Sequence, residues 1–241
     1  MPKILLIDAD AQASISTLRR NDVELCKFDL EGKEFASLDA GTQLAAKEMR
    51  VQFGALYESK KWGYYPIFSI DAQDDGTQLQ RALAIIESNE YDYIFIDMPG
   101  TLHQQNTADL FFCINYLIIP TVISNYGVQS TLDFCELVNQ PAFRGNSAIK
   151  EIRLVFNMYE IIKTAKYDEA ERELTVATKI PFCKSRIKMS SFFPSKNYNS
   201  IVPPTYRMNL NTLEISATPK VTNIGDFTDE LRKLVTSGDN V

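Results

Sequence analysis

Histidine is nearly missing from this chain: His103 is the only one in 241 residues. One imidazole cannot build a His-rich metal centre, and it leaves little room for a His-based nucleophile relay. Cysteine is sparse too. Cys26, Cys113, Cys135 and Cys183 are scattered, and no two form a CxxC pair. This spacing argues against a structural zinc site, and in a chain this long it does not read as a disulfide framework. Cys113 and Cys135 sit in apolar surroundings and are expected to be core thiols. No apolar run approaches the roughly 20 residues that a bilayer requires. The opening stretch MPKILLIDAD meets its acids too early for a signal peptide. Internal repeats and low-complexity tracts are also lacking. Together these absences point to a protein of the reducing cytoplasm.

The composition is 45% hydrophobic and 23% charged, enough for one globular domain over residues 1–241 with a full core. The net charge of −6 calls for no nucleic-acid partner. A basic stretch at Lys184, Arg186 and Lys188, preceded by Lys163 and Lys166, reads as a solvated face. Short apolar runs alternate with helical patterns, which predicts βαβ units and a parallel sheet. Strands are expected at Ile4 to Ile7, Tyr64 to Ile70, Tyr93 to Ile96, Tyr116 to Ile119 (closed by Pro120) and Ile152 to Phe156. Helices are expected from about Ala13, from Leu38 to Lys61, Thr77 to Asn89, Gly127 to Asn139 and Lys166 to Thr178. Residues of about 185–219 carry Pro194, Pro203, Pro204 and Pro219 without periodicity and read as one long irregular segment. A C-terminal amphipathic helix follows over about 222–236.

Two carboxylates end two apolar strands, Asp8 in LLIDAD and Asp97 in IFIDMPG. Ligands of open parallel sheets bind outside the carboxyl ends of the strands. An apolar strand followed by Asp can hold Mg²⁺ beside nucleotide phosphates. Pro99 and Gly100 turn the chain at that mouth, and Thr101 offers a hydroxyl there. The competing reading for each Asp is a cap on the following turn or helix. His103, beside Gln104, Gln105 and Asn106, reads as exposed loop.

Several segments carry a resemblance. LLIDADAQAS (Leu5 to Ser14) resembles the LLxDxDPQ segment after the second strand of ParA/MinD-type partitioning ATPases. YDYIFIDMPGTL (Tyr91 to Leu102) is similar to their Walker B segment. NYLIIPTVISNYGVQST (Asn115 to Thr131), RLVFNMY (Arg153 to Tyr159) and KIPFCKSRI (Lys179 to Ile187) are similar to later segments, in the family's order. The polar insert and STLDF bring the chain closest to the ParA-like proteins of conjugative transposons in Bacteroides-type bacteria (the TraA type). The resemblance implies a three-layer α/β sandwich with a mostly parallel, doubly wound sheet of the P-loop NTPase kind. It implies an Mg-ATP-dependent ATPase of a bacterial mobile DNA element. Asp8 and Asp97 then stand on the metal and water side, Asp10 and Gln12 shape the nucleotide loop, and Asn157 faces the adenine. Homodimerisation across the nucleotide, non-specific DNA and an element-encoded partner protein are implied as well.

The departure from the family is as informative as the match. No GxxxxGK followed by Ser or Thr occurs in the 241 residues; Gly32 and Lys33 are followed by Glu34, with Lys27 at the place of the first glycine. The chain opens just ahead of the family's second strand, so the first strand and the phosphate-cradling loop are expected to be missing. That loop supplies backbone N–H groups, a lysine and a metal-binding hydroxyl. The expectation is a protein that neither binds ATP tightly nor hydrolyses it alone, with marginal stability or a partner strand filling the gap. An upstream start, a truncated copy and a non-hydrolysing scaffold all remain open.

Overall fold

The computed structural model describes residues 2–10, 12–27, 31–44, 46–47, 50, 65–70, 76–99, 107–141, 145, 147–189, 206–209, 214–217 and 223–237. Two compact units divide the chain: Met1–Ala108 with Lys196–Ser216, and Asp109–Ser195 with Ala217–Val241. The fold is α/β with parallel strands, as the alternation of apolar runs predicts.

In the first unit β1 (Ile4–Asp8) runs between β2 (Ile67–Ser69) and β3 (Tyr93–Asp97), both parallel to it. β1 is a central strand and reads as an unbroken apolar run; Leu5 and Ile7 on one face are buried, and Ile4 and Leu6 on the other are half-buried. The backbone N–H of Lys3 donates to Asp92 Oδ2 at 2.7 Å and fixes the start of the β1–β3 register. Pro66 sits just before β2, where its missing N–H does no harm, and its carbonyl accepts from Leu6 at 3.0 Å. α1 (Ser14–Lys27) follows β1, and the four-residue α2 (Lys33–Ala36) follows α1. α3 (Thr77–Glu87) buries Leu79 and Ala82. It stops before the predicted Asn89 because Asn89 turns left-handed at φ 54, a conformation Asn tolerates. Among the described residues β3 has a strand partner on one side only, and its Phe95 is 53% exposed.

The second unit pairs β4 (Tyr116–Thr121) with β5 (Glu151–Phe156) in parallel, Ile119 opposite Leu154. Pro120 was expected to close β4, but the strand continues to Thr121. Past the proline the ladder resumes, with the Asn157 N–H donating to the Thr121 carbonyl at 2.9 Å. β4 has no second strand neighbour among the described residues, so a proline without an N–H is tolerated there. α4 (Thr107–Cys113) precedes β4 and was not foreseen. α5 (Asn125–Asn139) starts two residues ahead of the predicted Gly127, because Ser124 caps it, accepting from Gly127 N–H at 3.0 Å. A side chain at Gly127 would place its Cβ 2.5 Å from the Val122 carbonyl, so only glycine lets the helix approach the strand end this closely. A 3₁₀ turn (Ile161–Lys163) leads into α6 (Thr164–Thr178). Cys135 and Cys183 are buried thiols, pushed up by burial to about 11 and about 12. Cys113 is half-buried.

α7 (Ile224–Ser237) is the predicted C-terminal helix. Glu230 docks it: its two oxygens accept the N–H groups of Lys184 at 2.7 Å and Ser185 at 2.8 Å. The Tyr116 hydroxyl adds a 3.3 Å bond to the Val235 carbonyl. Burial alone would raise the Glu230 pKa, but these N–H bonds outweigh it and hold the carboxyl below its ordinary value. A lowered folded pKa stabilises above the unfolded value, about 4.3, and that stabilisation is lost as pH falls through the folded pKa. Glu230→Gln is therefore expected to lower stability by about 1 kcal/mol at pH 7, allowing for solvent screening. Urea midpoints at pH 7 and below pH 4 check this; the difference should shrink at the lower pH.

The stretch expected to be irregular contains a two-stranded sheet, β6 (Tyr206–Asn209) and β7 (Glu214–Ala217). Four-residue strands are too short for alternation to register, and the flanking prolines mask them. Most of the predicted Leu38 to Lys61 helix lies outside the described residues; residues 40–44 are helical.

Candidate functional site

Asp8 and Asp97 end neighbouring parallel strands and stand opposite each other in register. The Ala9 N–H donates to the Asp97 carbonyl at 3.0 Å, so the pairing persists beyond the carboxylates. Asp8 is fully buried. Its Oδ2 accepts both the backbone N–H of Ser16 at 2.8 Å and the Ser16 hydroxyl at 2.6 Å. Ser16 lies in the first turn of α1, whose leading N–H groups have no partner within the helix. Asp8 thus caps α1 from the end of β1, as the competing reading foresaw for a strand-end Asp. Only one oxygen is used. Asp8 Oδ1 is buried and, among the described residues, has no hydrogen-bond partner.

Asp97 is half-buried, and its carboxyl titrates above the usual range. Burial is the main cause, and the negative charges of Asp8 and Asp10 add to it. The loop joining β1 to α1 is closed by Asp10. Its Oδ1 accepts the Gln12 N–H at 3.1 Å, and its carbonyl accepts the Ala13 N–H at 2.8 Å. Ala13 takes a left-handed φ of 46, which a non-glycine residue adopts at a cost of about 1 kcal/mol or more.

Among the described residues no three His, Cys, Asp or Glu side chains form a metal cage. Mg²⁺ asks for less: it is commonly held by one or two carboxylates, with substrate phosphates and waters completing the octahedron. A buried carboxylate oxygen without a donor, beside a carboxyl disfavoured as an anion, fits that partial role.

The structure brings Asp8, Asp10, Gln12 and Asp97 together in the first unit. Pro99 is buried just beyond β3. Gly100, Thr101 and His103 lie outside the described residues. Asn157 belongs to the second unit, where it follows β5 and its Oδ1 accepts the Met158 N–H at 2.9 Å. Sequence reasoning missed Ser16. The available signal was a serine in the first turn of the helix that follows a strand-end Asp.

The parallel-stranded fold is α/β and P-loop NTPase-like. Residues 2–151 match the model of the AAA domain family AAA_31, and the chain belongs to that family. The ParA/MinD-type reading of its segments stands with that membership. A search of curated proteins finds no match. Among solved structures, the chain is similar to the MinD cell division protein of Aquifex aeolicus, at 14% identity and a TM-score of 0.43, covering 78% of this chain and 70% of that one. It is similar to a candidate plasmid partition protein of Borrelia burgdorferi B31 bound to AMPPNP, at 21% and 0.40, covering 79% and 74%. It is also similar to a ParA family ATPase from Chlorobium tepidum TLS, at 14% and 0.39, covering 79% and 86%. These likenesses are too remote to bring a ligand or partner with them. No described helix is long and apolar enough to cross a membrane.

Proposed function

We propose that the chain is a ParA-like protein serving the partitioning, maintenance or transfer of a mobile DNA element, of the conjugative-transposon type. Asp8 and Asp97 form the cation end of its nucleotide site, with Asp10 and Gln12 shaping the loop beside them. One observation carries this reading: two strand-end carboxylates stand opposite each other in register, and one buried oxygen has no donor among the described residues. Mg²⁺ bound there would neutralise phosphate charge. The residues of the chain do the rest by position: Asp8 stays anchored to α1, and Asp97 shares its charge with whatever lies between them.

The 241 residues carry no phosphate-cradling motif, so this chain alone does not hold Mg·ATP tightly. Calorimetry with Mg·ATP is expected to give no micromolar binding; a micromolar Kd would sink this part of the proposal. A second reading, a non-catalytic scaffold that binds a partner protein or DNA, draws on a different observation. Met158, Ile161, Ile162 and Met189 are all more than half exposed in the second unit, and Met189 N–H bonds the Tyr159 carbonyl at 3.0 Å. Clustered exposed apolar side chains mark interaction surfaces more often than free ones. A homodimer is the simplest such assembly.

A further inference from the structure

We infer that Ser16 is the positioning residue of the carboxylate pair: its N–H and hydroxyl fix one oxygen of Asp8, leaving the other to share a divalent cation with Asp97. The inference rests on the reading of Asp8 and Asp97 as a cation end, and deepens it. Four observations support it. Both Ser16 donors converge on the same atom, Oδ2, at 2.6 and 2.8 Å. Oδ1 of the same carboxylate is buried and, among the described residues, unpartnered. Asp97 is the register partner of Asp8 on the neighbouring parallel strand β3. Ser16 cannot wander, because it is built into the first turn of a fourteen-residue helix.

The chemistry follows from the geometry. A free carboxylate rotates and offers either oxygen, so a cation must first stop that rotation. Here Ser16 has already stopped it. Partners that orient a metal ligand typically change metal affinity by roughly 10–100-fold when removed.

The test titrates Mn²⁺ alone into the full 241-residue chain and counts free Mn²⁺ by electron paramagnetic resonance. The wild type is expected to bind one Mn²⁺ saturably, with Mg²⁺ competing. Ser16→Ala should weaken that binding roughly 10–100-fold. Ser16→Thr, which keeps both donors, should stay within a few-fold of wild type, and Asp97→Asn should lose most of the affinity. A purely structural role for Ser16 would lower the melting temperature of Ser16→Ala without this split in Mn²⁺ affinity. If Ser16→Ala fails to fold, Ser16→Cys gives the same comparison, since a thiol is a weak donor. Wild-type affinity in a folded Ser16→Ala protein overturns the role of Ser16 and leaves the cation reading standing. A folded wild type without saturable Mn²⁺ binding overturns both.

Discussion

Phe156→Ala is expected to remove about 3–5 kcal/mol from the second unit, the usual loss when a fully buried aromatic ring is truncated. Phe156 is 0% exposed at the end of β5. Its ring stacks on Phe182 with centroids 4.4 Å apart and meets the edge of Tyr167 at 5.1 Å. The Arg186 guanidinium lies 5.6 Å from the ring centre, held there by Asp168 and Glu171 at 2.7 Å each. Removing the ring opens a cavity and strips the neighbours of aromatic pairings worth about 0.5–1.5 kcal/mol each beyond buried area. Neither Phe182, which pairs with β5 through Leu154, nor the helical Tyr167 is free to move in and fill the space. Because the chain forms two compact units, its unfolding should be followed by hydrogen exchange as well as by urea. Amides of β4 and β5 should lose the protection, while β1 should keep it. A loss below about 1.5 kcal/mol would show that the unit repacks.

Asp97→Asn runs the other way: it is expected to stabilise the metal-free chain at pH 7 by roughly 1–2 kcal/mol, the worth of a hydrogen bond to a charged group. The substitution ends the repulsion between Asp97 and the carboxylates of Asp8 and Asp10, and it supplies an amide that can donate to Asp8 Oδ1. The pH dependence follows from the raised folded pKa. Below the unfolded value, about 3.9, Asp97 is protonated in both states and costs nothing. As pH rises through the folded pKa, the folded chain must ionise a carboxyl that burial and its neighbours disfavour, and stability falls. The advantage of asparagine is therefore full at pH 7 and shrinks toward pH 4. Urea denaturation at both values, with chelator present, measures it. An unchanged or lower midpoint at pH 7 would mean that Asp97 is relieved by something other than a cation. Millimolar Mn²⁺ should narrow the gap, since it binds only the aspartate form.

Much of this arrangement can be read from the sequence, and the failures share a cause. Leu5 and Ile7, or Leu117 and Ile119, are the buried positions of unbroken apolar runs, and such runs are how β1, β3, β4 and β5 announce themselves in the sequence. The strand-end carboxylates follow from the same pattern. Boundaries set by single hydrogen bonds are harder to see. Ser124 moves the start of α5, Asn89 ends α3 by turning left-handed, and Pro120 is absorbed at an edge that the sequence does not mark. Four-residue strands such as Tyr206–Asn209 have too few positions to show a period. Ser16 is invisible for a different reason: its importance lies in a contact eight residues back, across a loop whose shape depends on Asp10 and on the unusual φ of Ala13.

The divided carboxylate of Asp8 has a consequence for which sequences this protein can explore. One oxygen serves folding, by anchoring α1, and the other is the one proposed to meet a cation. Asparagine would keep the anchor and surrender the charge; glutamate would keep the charge and displace the anchor by a methylene. Neither single change preserves both duties, whereas position 97 carries only one. Drift should therefore be tolerated at 97 long before it is tolerated at 8, and a lineage that abandoned the chemistry would still be compelled to keep an acceptor at the end of β1.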